Sequence, residues 1–271
     1  MTDTDFYIQM MAAMNPLLEP TVCSVIQALP IVSGSSGLDA GCGIGLQARL
    51  LAEAVGSAGH VTGVDISSEF LLRAEESVKN SGLFERISFR QGDVSRLPFE
   101  ENTFDWAWSS DCVGYSPYLD PWLSLKELAR VVKPGGLVAI FAWSSESLIP
   151  GYPLLEARLE GTSSGMAPFG KEKRPEVHFL RALGWFREGC FSETTAQTFV
   201  GDVHAPLTDD FRRALTALFA MRWSGVDSEL TPEEWADYQR LCLPESPDFI
   251  VNHPDYYAFF TCSMFHGRVS R

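Results

Sequence analysis

The chain has 271 residues, 45% of them hydrophobic, and a formal net charge of −14. That apolar content supports a sizeable core in one large domain or two small ones, while the acidic balance weighs against nucleic acid and anionic membranes, whose binding relies on Lys and Arg neutralising phosphates. No apolar run reaches the ~18 residues of a membrane span, and the start Met1-Thr2-Asp3-Thr4-Asp5 lacks the positive segment of a signal peptide, so a cytoplasmic protein without membrane insertion is expected.

Residues 5–29 carry apolar side chains at helical spacing, among them Met10, Met14, Leu17, Val22, Val25 and Ile26, and Pro16 and Pro20 predict a break into two helices. Residues 1–30 are therefore expected as a helical cover ahead of the first strand. Next comes Leu38-Asp39-Ala40-Gly41-Cys42-Gly43-Ile44-Gly45, a short apolar run turning sharply into the helical stretch Leu46 to Val55. Glycines suit such a turn because the backbone must take positive φ and a Cβ would hold a ligand away from the N–H groups at the helix start. A dinucleotide fingerprint spaces its glycines as G-x-G-x-x-G, whereas Gly41, Gly43 and Gly45 give G-x-G-x-G with Leu46 following. With Asp39 just ahead, an ammonium or sulfonium ligand fits better than a diphosphate, which the carboxylate would repel.

This pattern resembles the first motif of the class I S-adenosylmethionine-dependent methyltransferases. The resemblance implies that Asp39, Gly41, Gly43 and Gly45 seat S-adenosyl-L-methionine, and the next elements extend it. The strand His60 to Asp65 ends in an acid 20 residues beyond Gly45, near the interval at which a carboxylate accepts hydrogen bonds from ribose hydroxyls. The alternative for Asp65 is a helix cap, although Ser67 is placed to cap the helix from about Ser68 to Asn80 by itself. The strand Arg86 to Gln91 ends in Gly92-Asp93-Val94. By the same resemblance Asp93 accepts a hydrogen bond from the adenine amine, with Val94 and Ile66 on the two faces of the ring. Phe104 to Ser109 is the fourth strand, with Ser109 at the ligand edge, and the loop Ser110 to Tyr115 makes Asp111, Cys112 and Tyr115 candidate contacts for a methyl acceptor. Asp120 and Pro121 start a helix that Lys133-Pro134-Gly135-Gly136 stops, before a fifth strand from Leu137 to Trp143.

The alternation over residues 39–143 predicts an α/β fold with a doubly wound, mostly parallel sheet, and the resemblance implies that this is a seven-stranded Rossmann-like sheet with helical lid insertions. Residues 31–143 and 176–204 form the cofactor-binding core, and 253–271 add the last, antiparallel strand. Residues 144–175 are a partly helical cover, with Pro168-Phe169-Gly170 among its turns. A helix from about Pro175 to Phe186 and a strand near Glu193 to Val200 follow. Residues 205–252 are a lid of two helices, the second opened by a Thr231/Glu234 capping box.

Methyl transfer from a sulfonium is an in-line displacement, so orientation alone supplies much of the acceleration, and a base is needed only where the acceptor must lose a proton. Of five histidines, His60 and His266 fall at the far edge, His178 lies on the surface, and His204 and His253 come at the ligand edge. His204 is the candidate base, beside Asp111, and its alternative is a residue anchoring the lid. Six scattered cysteines without a C-x-x-C pair indicate small buried hydrophobes and no metal site. Cys112 invites an arsenite-methyltransferase reading that no neighbouring cysteine in the sequence supports. The motif of the nucleobase amine methyltransferases is absent from the loop after strand four. The expected activity is transfer of a methyl group from S-adenosyl-L-methionine to a small, apolar or aromatic acceptor at carbon or oxygen, by a monomer or homodimer. The rivals are a non-catalytic protein that holds the cofactor or its demethylated product, and a NAD-dependent oxidoreductase.

Overall fold

The computed structural model describes residues 3–79, 81–115, 120–168 and 174–270. Asn80, Phe169 and Gly170, named above in a helix end and a turn, lie outside them. The first helix, α1 (Asp3–Ala28), runs unbroken through Pro16 and Pro20, which corrects the expected break. Each proline lacks an N–H and crowds the carbonyl four residues back. At a spacing of four both disturbances fall on one stripe, opposite the face on which Met10, Met14, Leu17, Val22, Val25 and Ile26 are buried, and that face holds the helix together.

The sheet has seven strands: β1 (Ser36–Ala40), β2 (His60–Asp65), β3 (Ile87–Gln91), β4 (Phe104–Ser110), β5 (Val132–Ser147), β6 (Phe191–His204) and β7 (Tyr257–Val269). Their order is β3-β2-β1-β4-β5-β7-β6. β1 pairs in parallel with β2 and β4, β2 with β3, and β4 with β5. The helices α2 (Leu46–Val55), α3 (Ser68–Lys79) and α4 (Pro121–Val131) connect successive strands, as the alternation predicts. The chain moves outward from β1 to β3 and returns on the other side of β1 as β4. In open α/β sheets the carboxyl ends of the two strands at such a reversal are where ligands bind.

β5 starts five residues before the expected strand. Phe104 pairs with Val132 and Trp106 with Leu137, so Lys133-Pro134-Gly135-Gly136 bulges out of the ladder and pairing resumes beyond it. The helix expected over 175–186 is instead two short 3-10 turns followed by α6 (Ala182–Glu188), and His178 caps the second turn by accepting the Leu180 N–H on Nδ1.

The chain divides into two compact units. One comprises Val22–Trp143, Lys173–Phe199 and Cys262–Arg271. Its core includes Leu38, Val61, Val64, Leu128 and Ile140 with Trp108 stacked on Phe141. The other comprises Met1–Thr21, Ser144–Glu172 and Val200–Thr261. It contains α5 (Pro153–Glu160), α7 (Asp209–Arg222) and α8 (Pro232–Cys242), packed through Leu155, Leu159, Leu218, Phe219, Leu241 and Tyr256. α8 opens with the Thr231/Glu234 capping box read from the sequence.

Candidate active site

The glycine turn forms where β1 ends. Gly41, Gly43 and Gly45 have φ of 80, 52 and 77°, the left-handed region that glycine takes without strain. Space enforces the choice as well: a Cβ on Gly41 would come within 2.5 Å of Cys112 Sγ, and one on Gly45 within 2.9 Å of Ala74 and Phe89. The turn is tied to its neighbour by main-chain bonds from the Gly41 and Cys42 N–H groups to the Val64 carbonyl, at 2.8 and 2.9 Å.

Asp65, at the end of β2, secures the middle of the turn. Its Oδ2 accepts the Gly43 N–H at 2.9 Å, and its Oδ1 accepts the Ser67 N–H at 2.9 Å. Ser67 Oγ in turn accepts the Phe70 N–H, so the capping role belongs to the serine. Each carboxylate oxygen keeps a further lone pair. Asp39 is different. It is 1% exposed, and its Oδ2 has no hydrogen-bond partner among the described residues. Burial, and after it the Asp65 carboxylate, push its pKa up to about 7. A buried, partly ionised carboxyl with an unused oxygen beside a second carboxylate calls for a positive charge, and a sulfonium with an α-ammonium supplies two.

Asp93 is exposed at the end of β3, where its Oδ1 accepts from the N–H and hydroxyl of Ser95 at 2.8 and 2.7 Å. Val94 is buried, and Ile66 is 70% exposed, a large apolar side chain left open beside Asp65. Ser109, at the end of β4, is buried and accepts the Val113 N–H on Oγ. Asp111 follows it with φ of 47°, an uncommon conformation for any residue but glycine. All of these belong to one unit and come from the carboxyl ends of β1 to β4. His204 belongs to the other unit, where it ends β6, exposed, with Nδ1 3.0 Å from the Ala205 carbonyl.

Two features escaped the sequence. Cys42 and Cys112, separated by 70 positions, come close enough at the glycine turn for Cys112 to add to the upward push on the Cys42 thiol. Burial raises both thiols, Cys112 to about 12, which keeps them protonated in the ligand-free protein. Gln47, in the first turn of α2, donates to Ser110 Oγ at 2.9 Å and accepts from Trp108 Nε1 at 2.7 Å. A glutamine two residues after the glycine turn was its one visible signal.

The chain is also similar to known proteins. The methyltransferase domain family matches residues 38–140, and demethylmenaquinone methyltransferase of Staphylococcus epidermidis is 31% identical over 67% of this chain and 78% of its own length. The chain belongs to the class I S-adenosylmethionine-dependent methyltransferases. A second relative of this methyltransferase, the sterol 24-C-methyltransferase ERG6B of Gibberella zeae, is 33% identical over 48% of this chain and 33% of its own length. The chain thus spans a third of one relative and more than three quarters of the other. The YcgJ protein of Bacillus subtilis shares the fold with a TM-score of 0.56 at 16% identity, over 93% of this chain and 99% of its own. Family membership sets the nicotinamide alternative aside. The site suits the family's cofactor on its own geometry, through the orphaned Asp39 oxygen and a turn that side chains cannot fill. No helix among the described residues is long and apolar enough to cross a membrane.

The second unit holds a cavity of about 740 Å³. Tyr152, Arg240, Phe249, His253, Asp255 and Tyr256 contribute to its walls. The Arg240 guanidinium lies 5.6 Å from the Tyr152 ring centre, and His253 is paired with Asp255. A volume of this size falls in the range of small-molecule pockets.

Proposed function

We propose that this chain transfers a methyl group from S-adenosyl-L-methionine to a small, apolar or aromatic molecule, at carbon or oxygen. The observation that carries the reading is Asp39, a buried carboxyl with an unpartnered oxygen beside Asp65 and the glycine turn. Two acids so close are costly unless a cation comes to them. Asp39, Gly41, Gly43 and Gly45 hold the methionine portion. Asp65 takes the ribose hydroxyls with its remaining lone pairs, Asp93 takes the adenine amine, Ile66 and Val94 flank the ring, and Ser109 lines the opening. When bound, the cofactor supplies a methyl group activated by its sulfonium charge. The protein's own contribution is to hold and align, which supplies about 7–11 kcal/mol.

Acceptor recognition falls to residues 144–168 and 206–256, whose cavity offers aromatic faces with a few polar groups at the walls. Relatives named for demethylmenaquinone and for carbon 24 of a sterol favour an apolar acceptor methylated on carbon. Where that acceptor must lose a proton, His204 is the candidate base and Asp111 the alternative. Titration calorimetry with S-adenosylmethionine, its demethylated product and NAD tests the reading. Binding of the first two and not the third is expected, and tight NAD binding with no response to S-adenosylmethionine would overturn it.

A further inference from the structure

We infer that Gln47 is a positioning residue for Asp111: its side-chain amide fixes the direction of a hydrogen-bond chain that keeps the Asp111 carboxyl an acceptor of protons. This rests on the reading of Asp111 as a group that faces the methyl acceptor. The chain begins at Trp108, whose indole N–H is a donor and nothing else. The Gln47 amide must therefore turn its oxygen to the indole, at 2.7 Å, and its NH₂ to Ser110 Oγ, at 2.9 Å. Ser110 Oγ, already accepting from Gln47, directs its own proton to Asp111 Oδ2 at 3.0 Å. The Trp143 N–H donates to Asp111 Oδ1 at 3.1 Å. Every bond in the sequence Trp108, Gln47, Ser110, Asp111 points the same way, and it ends on a carboxylate.

Asp111 is exposed, and the protein crowding its carboxyl raises its pKa while the Trp143 and Ser110 donors lower it. The titratable groups that face it include the thiols of Cys112, on the loop after β4, and Cys262, on β7, both raised by burial and neutral. The donors thus favour the basic form of the carboxyl. The left-handed backbone at Asp111 is pinned by its own N–H on the Phe141 carbonyl at 2.8 Å. Strain of this kind gathers where a side chain must be aimed. Gln47 sits on α2 immediately beyond the glycine turn, so the same residue links the cofactor seat to the loop that carries Asp111.

The test is the Asp111 titration itself, followed by carbon-13 NMR of the aspartate carboxyls in the full-length, ligand-free protein, with Asp111→Asn assigning the signal. Gln47→Met keeps the side-chain length and removes the amide, and should raise the Asp111 pKa by about half a unit to one unit. Ser110→Ala, which removes the last donor, should raise it by about one unit, tenfold in proton affinity. The double variant should match Ser110→Ala alone, because Gln47 acts through the serine. An unchanged pKa in Gln47→Met, or a Gln47 effect that persists undiminished without Ser110, overturns the inference. Should Gln47→Met fail to fold, Gln47→Leu makes the same comparison. In turnover the Gln47 variant should shift the acidic limb of the kcat/KM profile to higher pH while leaving S-adenosylmethionine affinity by calorimetry unchanged. Failure of the wild type to bind that cofactor would count against the proposed function, and the NMR result would still decide the role of Gln47.

Discussion

Replacing Asp39 by asparagine should stabilise the ligand-free protein above pH 7 and weaken its hold on S-adenosylmethionine. In the folded chain the Asp39 pKa is displaced from 3.8 to about 7, first by burial and then by the Asp65 carboxylate. Each pKa unit corresponds to about 1.4 kcal/mol, so ionising Asp39 in place costs the fold about 4 kcal/mol. A raised native pKa means that the folded state binds the proton more tightly than the unfolded chain. Stability from this group is therefore complete below about pH 4 and lost as pH climbs to about 7, at about 1.4 kcal/mol per unit. The Asp39→Asn variant is free of that loss, but its amide brings a buried NH₂ that costs about 1–3 kcal/mol if unpaired. At pH 8 the variant should be the more stable by about 1–3 kcal/mol, and at pH 5 its advantage should vanish or reverse. Urea titrations of both proteins across pH 5 to 8 measure this. A difference that does not change with pH would refute the electrostatic account of Asp39. The same variant should lose S-adenosylmethionine affinity about 10–100-fold, the equivalent of one charged contact.

Asp65→Ala should weaken S-adenosylmethionine by about 100-fold or more, because ribose hydroxyls lose a charged acceptor worth about 1.5–3 kcal/mol per bond and the Gly43 N–H loses its anchor; unaltered affinity by calorimetry in a folded variant would remove the assignment. Gly43→Val forces a β-branched residue into φ of 52°, and normal cofactor binding there would contradict the reading of the turn as the methionine seat. His204→Gln should lower turnover by about 10²–10⁴ if the imidazole takes the acceptor's proton, with cofactor affinity unchanged; near-normal turnover with an unaltered pH profile would leave Asp111 as the proton-accepting group.

What the sequence revealed was what local chemistry dictates. Three glycines at alternate positions state their φ requirement wherever they occur, and acids closing successive strands mark the ligand edge because the parallel alternation brings every such end to one side. That logic yielded the mostly parallel sheet and the positions of Asp39, Asp65 and Asp93 at its strand ends. It failed where a distant partner decides the outcome. Pro16 and Pro20 signal a break on any local rule, but the packed face opposite them keeps α1 whole. The early start of β5 depends on Val132 finding Phe104 across the ladder. The Gln47 contacts reach 61 and 63 positions along the chain, to Trp108 and Ser110, and no spacing within a single element encodes them. The acceptor is unreadable for the same reason, since the cavity in the second unit is assembled from segments whose compositions resemble any core.

The two acids at the turn also divide a task that their positions in the sequence do not separate. Asp65 has a backbone N–H on each oxygen and so is compensated before any ligand arrives; it shapes the turn and the start of α3. Asp39 has an uncompensated oxygen and a pKa moved to about 7. The unmet electrostatic demand of the site is therefore concentrated on Asp39, and a cationic ligand that satisfies it should expel a proton near neutral pH, where Asp39 is about half protonated. A diphosphate would do the reverse, holding the proton on. Calorimetry of S-adenosylmethionine binding at pH 7 in two buffers of different ionisation enthalpy reads this directly: proton release of up to about half a proton per site fits the assignment, and proton uptake would place the ligand's positive charge elsewhere.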